Sequence, residues 1–217
     1  MSDKNITLLV VGPIATNCWI YPLGDGTAAV IDPGDEAEVI ISALEKKSLV
    51  PRYILLSHGH FDHICAVPKL AKAFKDKAQL SVQIAIHKLD SEYLGPNAYE
   101  VHKKSVKAAM GIGALLDVFW KDMPPADILL EDGSEIGPFT VLHLPGHTPG
   151  GAAFLDKEAG VLFTGDTLFR RGYGRTDLPG GNEQQLYQSL SRLQTLDPNI
   201  KVYPGHGDTT TIGSEKF

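Results

Sequence analysis

The sequence predicts an α+β fold in which two β-sheets pack together and are covered by helices. Short apolar and β-branched runs, bounded by Gly, Pro or Asn, recur in both halves of the chain. Amphipathic helical patterns lie between these runs and do not form a separate block, which favours sheets with helices on their outer faces. The chain has 217 residues, of which 43% are hydrophobic, enough to bury one core. We therefore expect a single domain that spans residues 1–217.

The strands are predicted from the apolar runs, taken in chain order. In the first half, these runs cover residues 6–11, 18–23, 27–33, 53–57 and 82–87. In the second half, they cover residues 128–131, 139–144, 151–155 and 160–164, followed by the short pair Val202 and Tyr203. Strands in both halves are what predict two sheets.

The helices are predicted from apolar residues at helical spacing. These segments are residues 35–47, 64–74, 88–94 and 183–196, and the last one carries Leu186, Leu190 and Leu193 on one face. Pro68 is tolerated because it falls in the first turns of its helix. Residues 95–125 are the least regular part, and we expect a loop or flap there, with a helical pattern only around 99–110.

A dense group of metal-binding side chains follows the run at 53–57, in the segment SHGHFDH. In an extended chain, residues i and i+2 point to the same side, so His58 and His60 can face one point. Gly59 is expected to leave room between their imidazoles. Asp62 and His63 follow as the chain turns into the helix at 64, and they can face a second point beside the first. The carboxyl end of a strand is where sheets of this kind place their sites.

Three further candidates recur in similar settings, each beside a glycine in a turn after a predicted strand. They are His147 in LPGHTPGG, Asp166 in FTGDTLF and His206 in PGHGD. Together with the first group they make seven nitrogen and oxygen donors without a thiolate, a set that suits zinc, iron or manganese. The other histidines lack this context: His143 is expected in the core or behind a ligand, and His87 and His102 are expected to be structural or on the surface.

The ordered set HGHFDH, PGHTPG, TGDT and PGHG, between residues 58 and 206, resembles the metallo-β-lactamase-fold superfamily. The resemblance implies a four-layer αββα sandwich that holds two divalent metals. Zinc is the first expectation for these metals, and iron or manganese are the alternatives. The resemblance also implies that Asp166 bridges the metals. By position, one metal would be held by His58, His60 and His147, and the other by Asp62, His63 and His206.

The stretch GDTLFRRGYGRTDLPGGN (165–182) is similar to the single-domain, glyoxalase II-like (hydroxyacylglutathione hydrolase-like) branch and to persulfide dioxygenases. The first resemblance implies hydrolysis of small acyl-thioesters by a metal-bridging hydroxide, with Asp62 and Asp166 as catalytic residues. The second implies a persulfide dioxygenase with a single iron, which His58, His147 and Asp166 would bind. A lactonase and a non-catalytic metal-binding module are further alternatives.

The residues around the ligands leave more than one interpretation open. Asp32, in VIDPG, either accepts a hydrogen bond from a ligand imidazole or forms the turn before Pro–Gly. Arg175 either grips a substrate carboxylate or pairs with Asp177. Tyr173 is a candidate for lining the substrate pocket. Arg170 and Arg171 are expected to be solvated, and Cys65 to be a small buried apolar residue.

The bulk properties narrow the partners. The formal net charge of −6 argues against a nucleic-acid surface, which usually needs a basic stripe. No apolar run approaches the ~20 residues of a membrane span, and the N-terminus does not read as a signal peptide. Two cysteines do not make a disulfide framework. We therefore expect a cytoplasmic enzyme that acts on a small-molecule thioester, with no nucleic-acid or membrane partner and an oligomeric state left open.

Overall fold

The computed structural model describes residues 5–75 and 82–216. Residues 1–4, 76–81 and 217 of the predicted domain 1–217 lie outside the described residues. The first half of the chain supplies a six-stranded sheet whose strands lie side by side in chain order: β1 (Thr7–Val11), β2 (Thr16–Pro22), β3 (Thr27–Ile31), β4 (Val50–Leu56), β5 (Gln83–His87) and β6 (Ile128–Leu130). β1 to β3 are antiparallel, and β3 to β6 are parallel.

The second half supplies another six-stranded sheet. Its strands are β7 (Glu135–Ile136), β8 (Phe139–His143), β9 (Ala152–Asp156), β10 (Val161–Gly165), β13 (Lys201–Pro204) and β14 (Thr210–Thr211). Their order across the sheet is β14–β13–β10–β9–β8–β7, with only the β10–β13 pair parallel. A small hairpin of β11 (Leu168–Phe169) and β12 (Gly172–Tyr173) follows β10.

Helices connect the strands and cover the outer faces of the sheets. The α-helices are α1 (Ala37–Lys46), α2 (Phe61–Ile64), α3 (Val67–Phe74), α4 (Ala98–Met110), α5 (Leu116–Phe119) and α6 (Glu183–Leu193). Short 3₁₀ helices cover Lys88–Tyr93, Gly113–Leu115 and Ile212–Ser214. Among the described residues, no helix combines the length and the apolar character that a membrane crossing requires.

The apolar core is divided into three layers by the two sheets. Neighbouring strand residues point to opposite faces, so β2 sends Ile20 towards α1 and α3 and sends Tyr21 towards the second sheet. The layer between the sheets is rich in aromatic side chains, with Tyr21 edge-on to Phe139 and Phe163. The third layer joins the second sheet to α6. The predicted sandwich of two sheets between helices is confirmed.

Strands buried on both faces explain why the sequence prediction worked. Most of β2, β4, β9 and β10 is buried, so these strands read as continuous apolar runs. The apolar face of α6 is the predicted one, since Leu186, Leu190 and Leu193 are buried.

Three predictions of local structure need correction. The helix predicted at 64–74 begins at Phe61, breaks at Cys65 and Ala66, and resumes at Val67. The break places Pro68 in the first turn of α3, where its missing N–H leaves no hydrogen bond unmade. In the segment 95–125, the helical pattern predicted around 99–110 is confirmed as α4, but the part expected to be a loop or flap also contains a 3₁₀ turn and α5. The segment predicted as a helix at 88–94 is a 3₁₀ helix.

Candidate metal centre

The seven candidate ligands come together at the carboxyl ends of strands from both sheets. His58 follows β4, Asp166 follows β10 and His206 follows β13, while His147 lies in the loop after β8. Parallel neighbours end at the same edge of a sheet, which is why β10 and β13 bring Asp166 and His206 together. His206 also forms an isolated bridge to Thr16 on β2, so the two sheets meet at the site.

One group of three donors consists of His58, His60 and His147. Their ring centroids are 4.6 to 4.8 Å apart, and the rings meet edge to face. Nδ1 of His60 lies 2.9 Å from Nε2 of His147. All three residues are buried, and a ligand atom from each lies within 4.8 Å of the others. Three imidazole nitrogens that converge in this way make a suitable site for one zinc-like cation.

The second group consists of Asp62, His63 and His206. Oδ2 of Asp62 lies 3.5 Å from Nε2 of His63 and 3.4 Å from Nε2 of His206. The two Nε2 atoms are 3.3 Å apart. Asp62 and His206 are partly exposed, with about a quarter of each side chain accessible, whereas His63 is fully buried. The second group therefore lies at the open side of the centre.

Asp166 lies between the two groups. Its Oδ1 is 3.4 Å from Nε2 of His63, and its Oδ2 is 3.6 Å from Nε2 of both His147 and His206. It therefore contacts one imidazole of the first group and two of the second. A carboxylate in this place has the geometry of a group that could bind two cations at once.

The seven donor side chains do not satisfy one another's hydrogen-bonding capacity, and a bound metal would. Among the buried side-chain atoms of the described residues that have no hydrogen-bond partner, three belong to the candidate ligands: Nε2 of His58, Nε2 of His60 and Oδ1 of Asp166. Leaving a buried polar atom unpaired costs about 1 to 3 kcal/mol. Five imidazoles packed ring to ring around two carboxylates have a surplus of lone pairs, which a cation would satisfy. The residues present therefore fit a two-metal centre.

The pKa shifts reflect the same crowding. Burial, reinforced by the surrounding imidazoles, lowers the pKa of His58 well below its usual value and that of His60 to about 3. His63 behaves in the opposite way. Burial lowers its pKa, but the carboxylates of Asp166 and Asp62 outweigh burial and raise it to about 10. His58 and His60 therefore offer neutral nitrogens to a metal cation, and the carboxylates around His63 attract one.

Asp32 and Ser57 orient one imidazole of each group. Oδ2 of Asp32 lies 3.1 Å from Nδ1 of His63, and it accepts a 2.6 Å hydrogen bond from the hydroxyl of Ser57. The same hydroxyl lies 3.0 Å from Nδ1 of His58. With Nδ1 occupied in both rings, Nε2 is left to face the centre. Asp32 also has a φ of 50° directly before Pro33. Its contacts support the interpretation in which it accepts a hydrogen bond from a ligand imidazole.

Arg175 contributes through its backbone as well as its side chain. Its carbonyl oxygen lies 2.7 Å from Nδ1 of His147, which leaves Nε2 of that ring to face the centre. Its guanidinium pairs with both oxygens of Asp177, at 2.6 and 2.7 Å. Sequence reasoning missed the carbonyl because a backbone acceptor has no residue signature, and it missed Ser57 because a serine at a strand end is common.

Three further residues with sequence-based expectations, Tyr173, Arg170 and Arg171, follow Asp166 along the chain. Tyr173 on β12 is exposed, and its hydroxyl lies 3.1 Å from that of Tyr187 on α6. Arg170 is exposed as predicted, but it is not merely solvated, because it forms a 2.7 Å ion pair with Asp208. Arg171 is exposed and has a positive φ of 62°.

The remaining histidines lie outside the ligand groups. His102 is fully buried, and its Nε2 lies 2.9 Å from the carbonyl oxygen of Tyr93. His87 and His143 stack on each other with ring centroids 4.0 Å apart. His87 and His102 are thus structural and not on the surface. Cys65 is only partly buried, which differs from the prediction of a buried residue.

Gly59 also has a packing role. A Cβ added at this position would lie 2.1 Å from the ring of Tyr93. Gly59 therefore permits the ligand loop to pack directly on that aromatic ring.

Comparison with known proteins identifies the family of the chain. Residues 11–206 match the family model described as the metallo-beta-lactamase superfamily. Among curated proteins, the chain is 37% identical over 213 residues to hydroxyacylglutathione hydrolase GloC of Haemophilus influenzae, which covers 98% of this chain and 95% of that protein.

Solved structures give the same result. The di-iron-bound form of TTHA1623 is 38% identical with a TM-score of 0.79, and the match covers 96% of both chains. The B3 metallo-beta-lactamase BLEG-1 is 34% identical with a TM-score of 0.82, over 96% of this chain and 95% of that one. The residues matched by the family model, 11–206, include all seven candidate ligands, from His58 to His206. The chain belongs to the metallo-beta-lactamase superfamily.

Proposed function

We propose that this protein is a metal-dependent hydrolase of small acyl-thioesters, acting on an acyl-glutathione or a similar acyl-thiol to release a hydroxy acid and a thiol. The observation that carries the proposal is the convergence of seven donors in two groups that share Asp166. The similarity to hydroxyacylglutathione hydrolase GloC supports the thioester as substrate.

The proposal assigns His58, His60 and His147 to one metal and Asp62, His63 and His206 to the other, with Asp166 between them. We propose zinc as the metal, with iron or manganese as alternatives, because nitrogen and oxygen donors suit all three. When bound, the pair would supply an acidified water and polarise the thioester carbonyl.

The chain's own residues have distinct tasks in this proposal. Asp62 is partly exposed at the open side, so its carboxylate can accept a hydrogen bond from the attacking water and orient it. Asp166 contacts imidazoles of both ligand groups and so fixes their relative position. Asp32 and Ser57 hold the rings of His58 and His63, so that the positions of the donors are set before substrate arrives.

Tyr173 and Arg175 are proposed as substrate contacts. Tyr173 is exposed and directly precedes Gly174, whose backbone packs so closely on Asp166 that an added Cβ would lie 1.9 Å from the Asp166 carbonyl oxygen. For Arg175 to bind a substrate carboxylate, its guanidinium would exchange Asp177 for the substrate. Both groups are exposed, at 52% and 66% of the side chain, so the exchange needs no repacking of the core.

The principal alternative is a mononuclear iron persulfide dioxygenase that would use only His58, His147 and Asp166. Ligand atoms of Asp62, His63 and His206 also lie within 4.8 Å of one another, but the presence of these residues does not separate the two enzymes, whereas the bound metal does. A lactonase would use the same metals and differ in the acyl substrate. The likeness to the B3 metallo-beta-lactamase BLEG-1 adds β-lactams to the substrates that need testing.

The deciding experiment is metal analysis of protein purified without added metal, together with parallel activity assays. The substrates are S-lactoylglutathione, a simple lactone and a chromogenic β-lactam, and oxygen uptake is followed with glutathione persulfide. Two zinc ions per chain and preferred cleavage of the thioester are expected. One iron per chain with oxygen consumption on the persulfide would refute the hydrolase, and preferred cleavage of the lactone or β-lactam would refute the thioester.

A further inference from the structure

Asn17, on β2 of the first sheet, holds the loop that carries His206 in the second sheet. Its side-chain amide donates to the carbonyl oxygens of Pro204 (3.0 Å) and Gly207 (2.8 Å). Its backbone N–H donates to the carbonyl oxygen of Gly205 at 2.7 Å. Asn17 is only 2% exposed. Three hydrogen bonds from one buried residue therefore fix the chain on both sides of His206.

Asp90 has the corresponding place at the other group of ligands. It is fully buried in the 3₁₀ helix after β5, and it accepts hydrogen bonds from the backbone N–H of Gly59 (3.0 Å) and of Gly150 (2.6 Å). It also accepts one from the hydroxyl of Thr148 at 2.8 Å. Gly59 lies between His58 and His60, and Thr148 follows His147. One carboxylate thus joins the two loops that carry all three imidazoles of the first group.

We propose that Asp90 and Asn17 are positioning residues, each for one metal position: Asp90 for the position of His58, His60 and His147, and Asn17 for that of His206 and its partners. The inference rests on the ligand assignment given under Proposed function. Neither residue supplies a ligand atom in that assignment. Each acts by fixing the backbone from which the ligands project.

The two positioning residues act separately because they hold different parts of the chain. Within the described residues, the side-chain hydrogen bonds of Asn17 reach the 204–207 loop, whereas those of Asp90 reach the 59 and 148–150 segments. Outer residues that orient ligands typically alter metal affinity by about 10- to 100-fold when they are changed. Loss of one residue should therefore weaken one metal position by that factor and leave the other nearly unchanged.

The test uses the metal-free full chain loaded with Co²⁺, which reports coordination through its visible absorption. Variants Asn17→Ala and Asp90→Asn are titrated in competition with a chelator. Ligand variants His206→Ala and His60→Ala give reference spectra for protein that has lost one position. The matched controls are Cys18→Ala, which truncates the buried neighbour of Asn17, and Asp156→Asn, which changes another buried carboxylate of the sandwich.

We expect Asn17→Ala to weaken one of the two bound ions by 10- to 100-fold and, at one equivalent, to give the spectrum of His206→Ala. Asp90→Asn should weaken the other ion and give the spectrum of His60→Ala. Both controls should bind two ions as the unaltered protein does. Equal weakening of both ions in either variant, or wild-type binding, would overturn the proposal.

Two outcomes separate this inference from the ligand assignment on which it rests. If His206→Ala itself binds two ions normally, the ligand assignment is wrong. If His206→Ala loses one ion while Asn17→Ala keeps both, only the positioning role is wrong. Circular dichroism of the metal-free variants checks folding, and Asn17→Ser, which leaves a smaller cavity, replaces Asn17→Ala if the latter does not fold.

Discussion

Replacing Gly205 by alanine should damage the metal centre by placing one methyl group inside it. A Cβ at this position would lie 2.3 Å from Oδ1 of Asp166 and 2.7 Å from Cε1 of His63. Two non-bonded heavy atoms have their optimal separation at about 3.5 Å, so the carboxylate or the loop must move by roughly 1 Å. A displacement of that size in a catalytic group costs about 100-fold in rate. Overpacking of this kind also costs about 1 to 3 kcal/mol of stability.

The assay is metal content by mass spectrometry, followed by thioester hydrolysis at saturating metal. Gly205→Ala should retain less metal than the unaltered protein and lose about 100-fold in kcat/KM. Gly172→Ala is the control, because a Cβ there meets no atom within 4 Å and the residue has no positive φ. A Gly205→Ala protein with normal metal content and normal turnover would show that Asp166 and the His206 loop are not held as closely as argued.

Three further predictions address single residues. Asp166→Ala should lower the metal content and abolish turnover, because this carboxylate contacts imidazoles of both groups; a fully active variant would refute its bridging role. His102→Ala should leave the metal content unchanged but lower the free energy of unfolding by about 2 kcal/mol, and a loss of metal would mean that a ligand has been misassigned. Burial lowers the pKa of His102 from 6.5 to about 4, so the folded state binds this proton less tightly than the unfolded state. The resulting ~3 kcal/mol of stability is present above pH ~6.5 and is lost as the pH falls towards 4. In metal-free His102→Ala, the free energy of unfolding should not show this loss between pH ~6.5 and 4. Arg175→Ala should change the free energy of unfolding by less than ~1 kcal/mol, because its ion pair is exposed. A rise in KM at constant kcat is what a substrate contact predicts, and an unchanged KM would limit Arg175 to pairing with Asp177.

The sequence predicted the fold and the convergence of the site because both depend on strong local signals. Strands buried on two faces read as apolar runs, and the donors follow those runs directly, as His58 follows β4 and Asp166 follows β10. Elements of two residues, such as β7, β11, β12 and β14, were not predicted, because so short a segment has no periodicity to detect.

The supporting residues could not be predicted because their partners are distant in the sequence. The amide of Asn17 meets a loop nearly two hundred residues later, and Asp90 joins segments on either side of it. Neither residue type has a preference that points to such a role. The carbonyl of Arg175 that contacts His147 has no side-chain signal at all. Only the tertiary packing of the folded chain brings these groups into contact.

The bridge between Thr16 and His206 has a consequence for the biosynthesis of the protein. A ribosome makes the β2 residue early and its partner loop late, after all the other candidate ligands. A nascent chain interrupted before residue 206 would already contain His58, His60, His147 and Asp166, but it would lack a donor of the second group. We therefore expect the second metal position to be completed only after synthesis of the His206 loop, so that full metal loading follows translation.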